Sequence, residues 1–131
     1  MWQWLRSLRK RPSGDSPLGG RGESTAVDYL RQRGFKIITR NFRCPLGEID
    51  IIAKDRGTLV FVEVKTRVID DIAPEEHVNH FKRHQLTKTA RYYLSRYKEQ
   101  PPARFDVVAI VWPEGSEPQI RHMPDAFDAT F

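Results

Sequence analysis

Apolar and polar residues alternate with period two between Gly47 and Arg67, GEIDIIAKDRGTLVFVEVKTR. Ile49, Ile51 and Ala53 alternate with Glu48, Asp50 and Ile52; after Asp55-Arg56-Gly57, Val60, Val62 and Val64 alternate with Leu59, Phe61, Glu63 and Lys65. Strand side chains change face at every residue, so this stretch reads as a hairpin whose turn uses Gly57 at positive φ. Phe35 to Arg43 reads as a strand before it, joined through Cys44-Pro45-Leu46. Helical spacing governs Arg21 to Arg33, where Ala26, Val27, Tyr29 and Leu30 share a face and Gly34 stands at C′. A second helix is predicted from a start at Pro74, Glu75 and Glu76 to about Lys98, burying Leu86, Ala90, Tyr93, Leu94 and Tyr97. Val68 to Glu76 follows neither period and reads as a loop beside the hairpin. Arg104 to Trp112, RFDVVAIVW, is almost continuously apolar, as in a strand covered on both faces. Reached through a long helix, it is expected parallel to the Glu63 strand. Gln119 to Met123 reads as a last edge strand, with Ala126 and Phe127 packed back on the sheet. The predicted fold is α/β, a mixed sheet of four to five strands flanked by helices in the order α-β-β-β-α-β-β.

Charges interrupt this pattern where apolar residues are expected. Glu48 shares a face with Asp50, and Glu63 with Lys65. If Asp55 pairs with Thr58, Asp50 falls opposite Glu63; a turn two residues longer makes them diagonal neighbours, and a slip of one residue separates them. In either of the first two registers Ile49 and Ile51 face Val62 and Val64 on the other side. Two carboxylates and an ammonium on one face of an apolar hairpin are costly unless paired or bound. Mg²⁺ is commonly held by one or two carboxylates together with substrate phosphate. A lysine two residues past a carboxylate on the same strand reaches a water or phosphate oxygen at that ion. The plainer alternative is a cross-strand salt bridge on an exposed sheet face.

Other charges carry less weight. Glu23 falls in the middle of the first helix's apolar face, which calls for water or a partner; a first-turn carboxylate is also favoured by the helix dipole. Arg40 and Arg43 face phosphates or solvent, and Glu48 either assists a metal or pairs with Arg40 or Lys65. Lys82 flanks the apolar stripe of the second helix, so its stem is expected buried and its head aimed inward, fit for a phosphate. His84, Lys88, Arg91 and Lys98 fall on the outer face. His77, His80 and His84 have zinc-like spacing but no fourth ligand nearby. Asp106 opens its strand and is expected to bind Arg104 or a backbone group.

With 131 residues the chain suits one domain with one core. Its 22 Lys and Arg against 17 Asp and Glu, a net charge of +5 and a pI of 9.6, lean toward polyanions. Between Glu76 and Glu99 there are six Lys or Arg and no acid. The single cysteine, Cys44, excludes an intrachain disulfide and suits a reducing compartment such as the cytoplasm. No apolar run approaches a membrane span. Residues 1–20, with Trp2, Trp4, Leu5 and Leu8 among arginines and then Pro- and Gly-rich text, read as a basic appendage: a flexible tail or an amphipathic helix on DNA or membrane. Residues 21–131 form the domain.

Asp50 with Glu63-Val64-Lys65 resembles the PD-(D/E)xK nuclease signature. The wider text resembles the YraN family, predicted endonucleases distantly related to archaeal Holliday-junction resolvases. The matching pieces are Gly22-Glu23 with Ala26 and Tyr29-Leu30, Arg40-Asn41-Phe42-Arg43, Gly47-Glu48-Ile49-Asp50, Val60 through Arg67, Arg104 through Val108, and Ala126-Phe127. The short Asp…Glu-x-Lys pattern is common; the ordered set is specific. The resemblance implies a restriction-endonuclease-like core and a Mg²⁺- or Mn²⁺-dependent endonuclease acting on DNA, branched DNA included. Asp50 and Glu63 would hold the metal with the Val64 carbonyl and, as a third acid, Glu23. Lys65 would orient water or stabilise developing charge, and Arg67, Lys82 and Arg43 would position the backbone. Cleavage would leave a 5′-phosphate and a 3′-hydroxyl. A homodimer follows by analogy with resolvases alone. Two rival expectations stand beside it: a non-catalytic nucleic-acid-binding module of the same fold, and a scaffold in which the three charges form a structural network.

Overall fold

The computed structural model describes residues 17–68 and 80–129. Helix α1 (Pro17–Gln32) precedes strands β1 (Lys36–Cys44), β2 (Gly47–Asp55) and β3 (Thr58–Arg67); helix α2 (His80–Leu94) precedes β4 (Ala103–Val111) and β5 (Gln119–Phe127). The strands form one sheet in sequential order, β1-β2-β3-β4-β5. Pairing is antiparallel except between β3 and β4, which are parallel from Leu59↔Ala103 to Arg67↔Val111. This is the predicted α/β architecture, a restriction-endonuclease-like core.

Local chemistry explains most boundaries. α1 spans Pro17–Gln32 and so includes four residues before the Arg21 start that its apolar face foretold. It ends in a Schellman motif: Gly34 has φ 91°, Phe35 N donates to Leu30 O and Gly34 N to Arg31 O, both at 3.0 Å. The β2–β3 turn takes the shorter expected register, Asp55↔Thr58, with Arg56 and Gly57 at φ 52° and 89°. α2 stops at Leu94 rather than Lys98, and Tyr97 packs on the core from beyond it. β5 extends past Met123 to Phe127, whose ring stacks on Phe105 at 4.8 Å. The start expected at Pro74, the loop at Val68 to Glu76 beyond residue 68, and the N-terminal segment up to residue 16 lie outside the described residues. Among the described residues no helix is long and apolar enough to cross a membrane.

Each sheet face has its own apolar cluster. On one, Ala26, Val27 and Leu30 of α1 cover Ile51, Ala53, Val60, Val62, Val64, Val108 and Ile110. On the other, Leu86, Ala90, Tyr93 and Leu94 of α2 cover Ile49, Ile52, Leu59, Phe61, Phe105 and Val107. β3 lies between, buried on both sides from Leu59 to Thr66. α1 approaches β3 so closely that a Cβ on Gly22 would overlap Thr66 Oγ1 and lie 2.9 Å from its Cγ2.

Gly22→Ala should therefore lower stability by about 1–3 kcal/mol, despite alanine's better helix propensity. Adding Thr66→Ala should return part of the loss. Urea unfolding of the single and double variants checks this, and a neutral Gly22→Ala would show that the helix can shift away.

Candidate active site

The site begins where the β2–β3 ladder stops. Backbone pairing runs from Asp55↔Thr58 to Ile51↔Val62. At the next position the Asp50 side chain takes over: its Oδ2 accepts a hydrogen bond from the Val64 N–H at 2.8 Å. The strand also turns over here. Ile51 packs on the α1 side as expected, but Ile49 packs on the α2 side with Ile52 and Phe61, not with Val62 and Val64. Strict alternation would have kept Ile49 and Ile51 together. β1 has its own irregularity at the same level: Asn41, between the pairs Arg40↔Ile51 and Phe42↔Ile49, has φ 55°. Asparagine tolerates that conformation better than most residues.

Val64 sits between Glu63 and Lys65, so this bond brings the Asp50 carboxylate beside both. N–H and C=O of one strand residue point toward the same edge. The Val64 carbonyl is thereby directed to the edge where Asp50 stands. Glu63 and Lys65 continue the face of Leu59 and Phe61, under α2, and both are buried, at 1% and 0% exposure. Lys82, from the first turn of α2, is also buried and aimed inward as expected, with Nζ 3.9 Å from Glu63 Oε2. Asp50, Glu63, Lys65 and Lys82 are thus gathered at one end of the α2-side core.

Glu23 is engaged by residues of β1. It lies in the second turn of α1, so a first-turn dipole does not account for it. Its Oε1 accepts from Arg40 Nε and Nη2, both at 3.2 Å, and from Asn41 Nδ2 at 2.9 Å. Arg40 is therefore engaged with Glu23, not with Glu48. Glu48 pairs instead with Arg43, its cross-strand neighbour, at 3.5 Å. The expected partner Arg40 gives way to Arg43 because the β1–β2 register places Arg43 directly opposite Glu48. Arg67 is half-buried at the end of β3, where its carbonyl accepts from Trp112 N. His80 and His84 stack at 6.4 Å between centroids, and His77 lies outside the described residues. The role of Asn41 carries only a general signal, the left-handed tolerance of its residue type.

A second buried charge cluster lies on the α1 side. Asp106 accepts from Arg104 Nε at 3.0 Å, Asp125 N at 2.9 Å and His122 Nε2 at 2.8 Å, while Arg104 also reaches Asp55 at 3.1 Å. Arg104 and a backbone N–H are the expected partners; His122 had no local signal. Burial alone would raise the Asp106 pKa. Hydrogen bonds from His122, Arg104 and the Asp125 backbone, with the Arg104 charge, outweigh it and hold the carboxyl below the ordinary 3.8. The Arg104 guanidinium is in turn pushed up, chiefly by its hydrogen bond to Asp106. This network is internally paired and serves the fold.

Among the described residues no three His, Cys, Asp or Glu side chains are grouped to hold a metal. Asp50, Glu63 and Glu23 are therefore not one ready cluster. Asp50 and Glu63, with the Val64 carbonyl, remain a donor set of hard oxygens only. That set suits Mg²⁺ or Mn²⁺, whose other positions water and phosphate can fill.

Fold and site together define an α/β protein whose mixed five-stranded sheet carries an Asp…Glu-x-Lys arrangement at its centre. Residues 22–110 match the model of "Uncharacterised protein family UPF0102". The chain is 48% identical over 111 residues to a UPF0102 protein of Thermodesulfovibrio yellowstonii, covering 84% of this chain and 95% of that one. It is 46% identical over 121 residues to one of Trichlorobacter lovleyi, covering 90% and 95%, and 49% identical over 116 residues to one of Geotalea daltonii, covering 87% and 91%. The chain belongs to the UPF0102 family, the YraN family of the sequence resemblance.

Asp106→Ala should cost about 1–3 kcal/mol, because it leaves the part-buried Arg104 with Asp55 alone and strips His122 and the Asp125 N–H of their acceptor. A depressed carboxyl pKa contributes stability above 3.8 that is lost as pH falls through the folded value. Urea midpoints at about pH 7 and about pH 3 should fall for the wild type on acidification, and fall less for Asp106→Asn. An equal acid loss in both would assign it to other groups.

Proposed function

We propose that the protein is a Mg²⁺- or Mn²⁺-dependent endonuclease acting on DNA. The observation that carries this reading is the Asp50–Val64 hydrogen bond, which puts one carboxylate beside the Glu63-Val64-Lys65 segment of the central strand. Asp50 and Glu63 would hold the cation with the Val64 carbonyl. Such an ion supplies Lewis acidity, offsetting charge on a scissile phosphate and making water a better nucleophile near neutral pH. Lys65, buried on the Glu63 face, provides a positive charge and hydrogen-bond donors for the attacking water or a phosphate oxygen. In a low-dielectric site such a charge stabilises a developing anion more than it would in water. Attack in line with the leaving 3′-oxygen would leave a 5′-phosphate and a 3′-hydroxyl.

Around this centre Lys82, Arg67 and Arg43 offer cationic contacts to the DNA backbone, which position a duplex without reading its sequence. Arg43 makes its contact from a half-exposed ion pair with Glu48. Glu23, on α1, holds Arg40 and Asn41 of β1 at the level of Asp50 and so supports the aspartate's position. A second reading, a purely structural ion-pair network, is favoured by one observation: Lys82 already neutralises Glu63 across 3.9 Å.

Cleavage of linear, branched and single-stranded DNA with Mg²⁺ or Mn²⁺ separates the readings. Wild type should cut only with a divalent cation, and Asp50→Asn and Glu63→Gln should fall to background. Equal trace cleavage by all three removes the enzyme reading. Salt-sensitive DNA affinity without a metal requirement would then favour a binding module, and no affinity at all the structural network.

A further inference from the structure

Lys82 stands where a cation belongs. Its side chain is 6% exposed and that of Glu63 1%, with Nζ 3.9 Å from Oε2. A carboxylate buried this deeply needs a positive charge close by. Yet 3.9 Å is an ion-pair distance, longer than the roughly 2.7–2.9 Å of a charge-assisted hydrogen bond. The contact neutralises Glu63 without locking its oxygen in place. Lys65 and Lys82 differ in how they are held. Lys65 is fixed on the central strand beside Glu63, whereas Lys82 reaches in from the first turn of α2. Its four-carbon stem is flexible, and solvent begins one residue away, at Phe81, which is 67% exposed.

An ammonium and a divalent cation cannot share one carboxylate oxygen cheaply, because they repel at short range in a poorly screened site. We infer that Lys82 is the site's built-in placeholder for the metal: it neutralises Glu63 in the metal-free protein and is driven off Oε2 when a divalent cation binds. This rests on the reading of Asp50 and Glu63 as a cation site. The displaced ammonium then stays near the cation's outer side, where a phosphate oxygen would approach. One lysine thereby serves two states, first as counter-ion to the glutamate and then as a contact for the substrate's charge. Placeholder and metal are coupled negatively, so removing the placeholder's charge strengthens metal binding.

Mn²⁺ titration of the full chain by calorimetry, with no DNA present, tests this. Lys82→Met and Lys82→Gln should bind Mn²⁺ about tenfold more tightly than wild type, a common size for coupling between two sites. Lys82→Arg, which keeps the charge, should stay near wild type, and Asp50→Asn should lose binding in either background. In the wild type, acetylation of the Lys82 amine, followed by mass spectrometry, should run several-fold faster with Mg²⁺ than with NaCl of equal ionic strength. This second measurement decides if the neutral variants do not fold. A lysine that merely packs the core would leave Mn²⁺ affinity unchanged or weaken it, and its labelling would ignore Mg²⁺; either result overturns the inference. If wild type binds Mn²⁺ through Asp50 and the neutral variants bind no tighter, the placeholder alone falls. If neither wild type nor variants bind Mn²⁺ at Asp50, the cation site falls with it.

Discussion

One hydrogen bond, from the Val64 N–H to Asp50 Oδ2, sets the geometry on which the rest of the site depends. A central strand must satisfy its backbone groups, since an orphaned buried N–H costs as much as a lost hydrogen bond. Here a side chain rather than the neighbouring strand's carbonyl does it. Two consequences follow. The ladder can end at Ile51↔Val62 without leaving Val64 unpaired, and β2 is released to turn over, so that Ile49 crosses to the α2 side. The same bond holds the aspartate beside Glu63 and Lys65. Strand termination and the assembly of the site are one structural event.

β3 shows how that event divides the molecule. Its first half is apolar on both faces, filling the α1 and α2 clusters. Its second half keeps the α1 face small and apolar, with Val64 and with Thr66 pressed against Gly22, but places Glu63 and Lys65 on the α2 face. Buried charges of this kind persist only with partners. α2 supplies one in Lys82. The helix thus covers the core with one part of its inner face and counters the site's charge with another.

The two buried charge clusters differ in kind. Asp106 receives hydrogen bonds from two side chains and a backbone N–H, and that satisfaction depresses its pKa. Such an arrangement ties β4, β5 and the β2–β3 turn together and has little left to offer a ligand. In the Asp50–Glu63 group, Asp50 accepts from a backbone N–H and Glu63 faces Lys82 across 3.9 Å, and the carboxylates come from adjacent strands. The UPF0102 match over residues 22–110 takes in Asp50, Glu63 and Lys82 and also Arg104 and Asp106, so family membership by itself does not choose between the clusters.

By itself the sequence determined the elements and their order. Period-two alternation set the hairpin, Gly34 and Gly57 set a helix end and a turn, and the unbroken apolar run after Arg104 announced a strand buried on both faces. It also offered registers that bring Asp50 near Glu63 and Lys65, and the structure took the one with Asp55 opposite Thr58. Tertiary structure decided what periodicity cannot encode. Ile49 changed sides because Asp50 diverted its carboxylate to a backbone group, which no pattern of apolar residues records. Glu23 went to Arg40 and Asn41, and Arg43 to Glu48, because partners between distant segments are chosen by how helices and strands dock. His122 found Asp106 for the same reason. Local pattern specifies which face a side chain takes; only the packed fold specifies which charge it meets there.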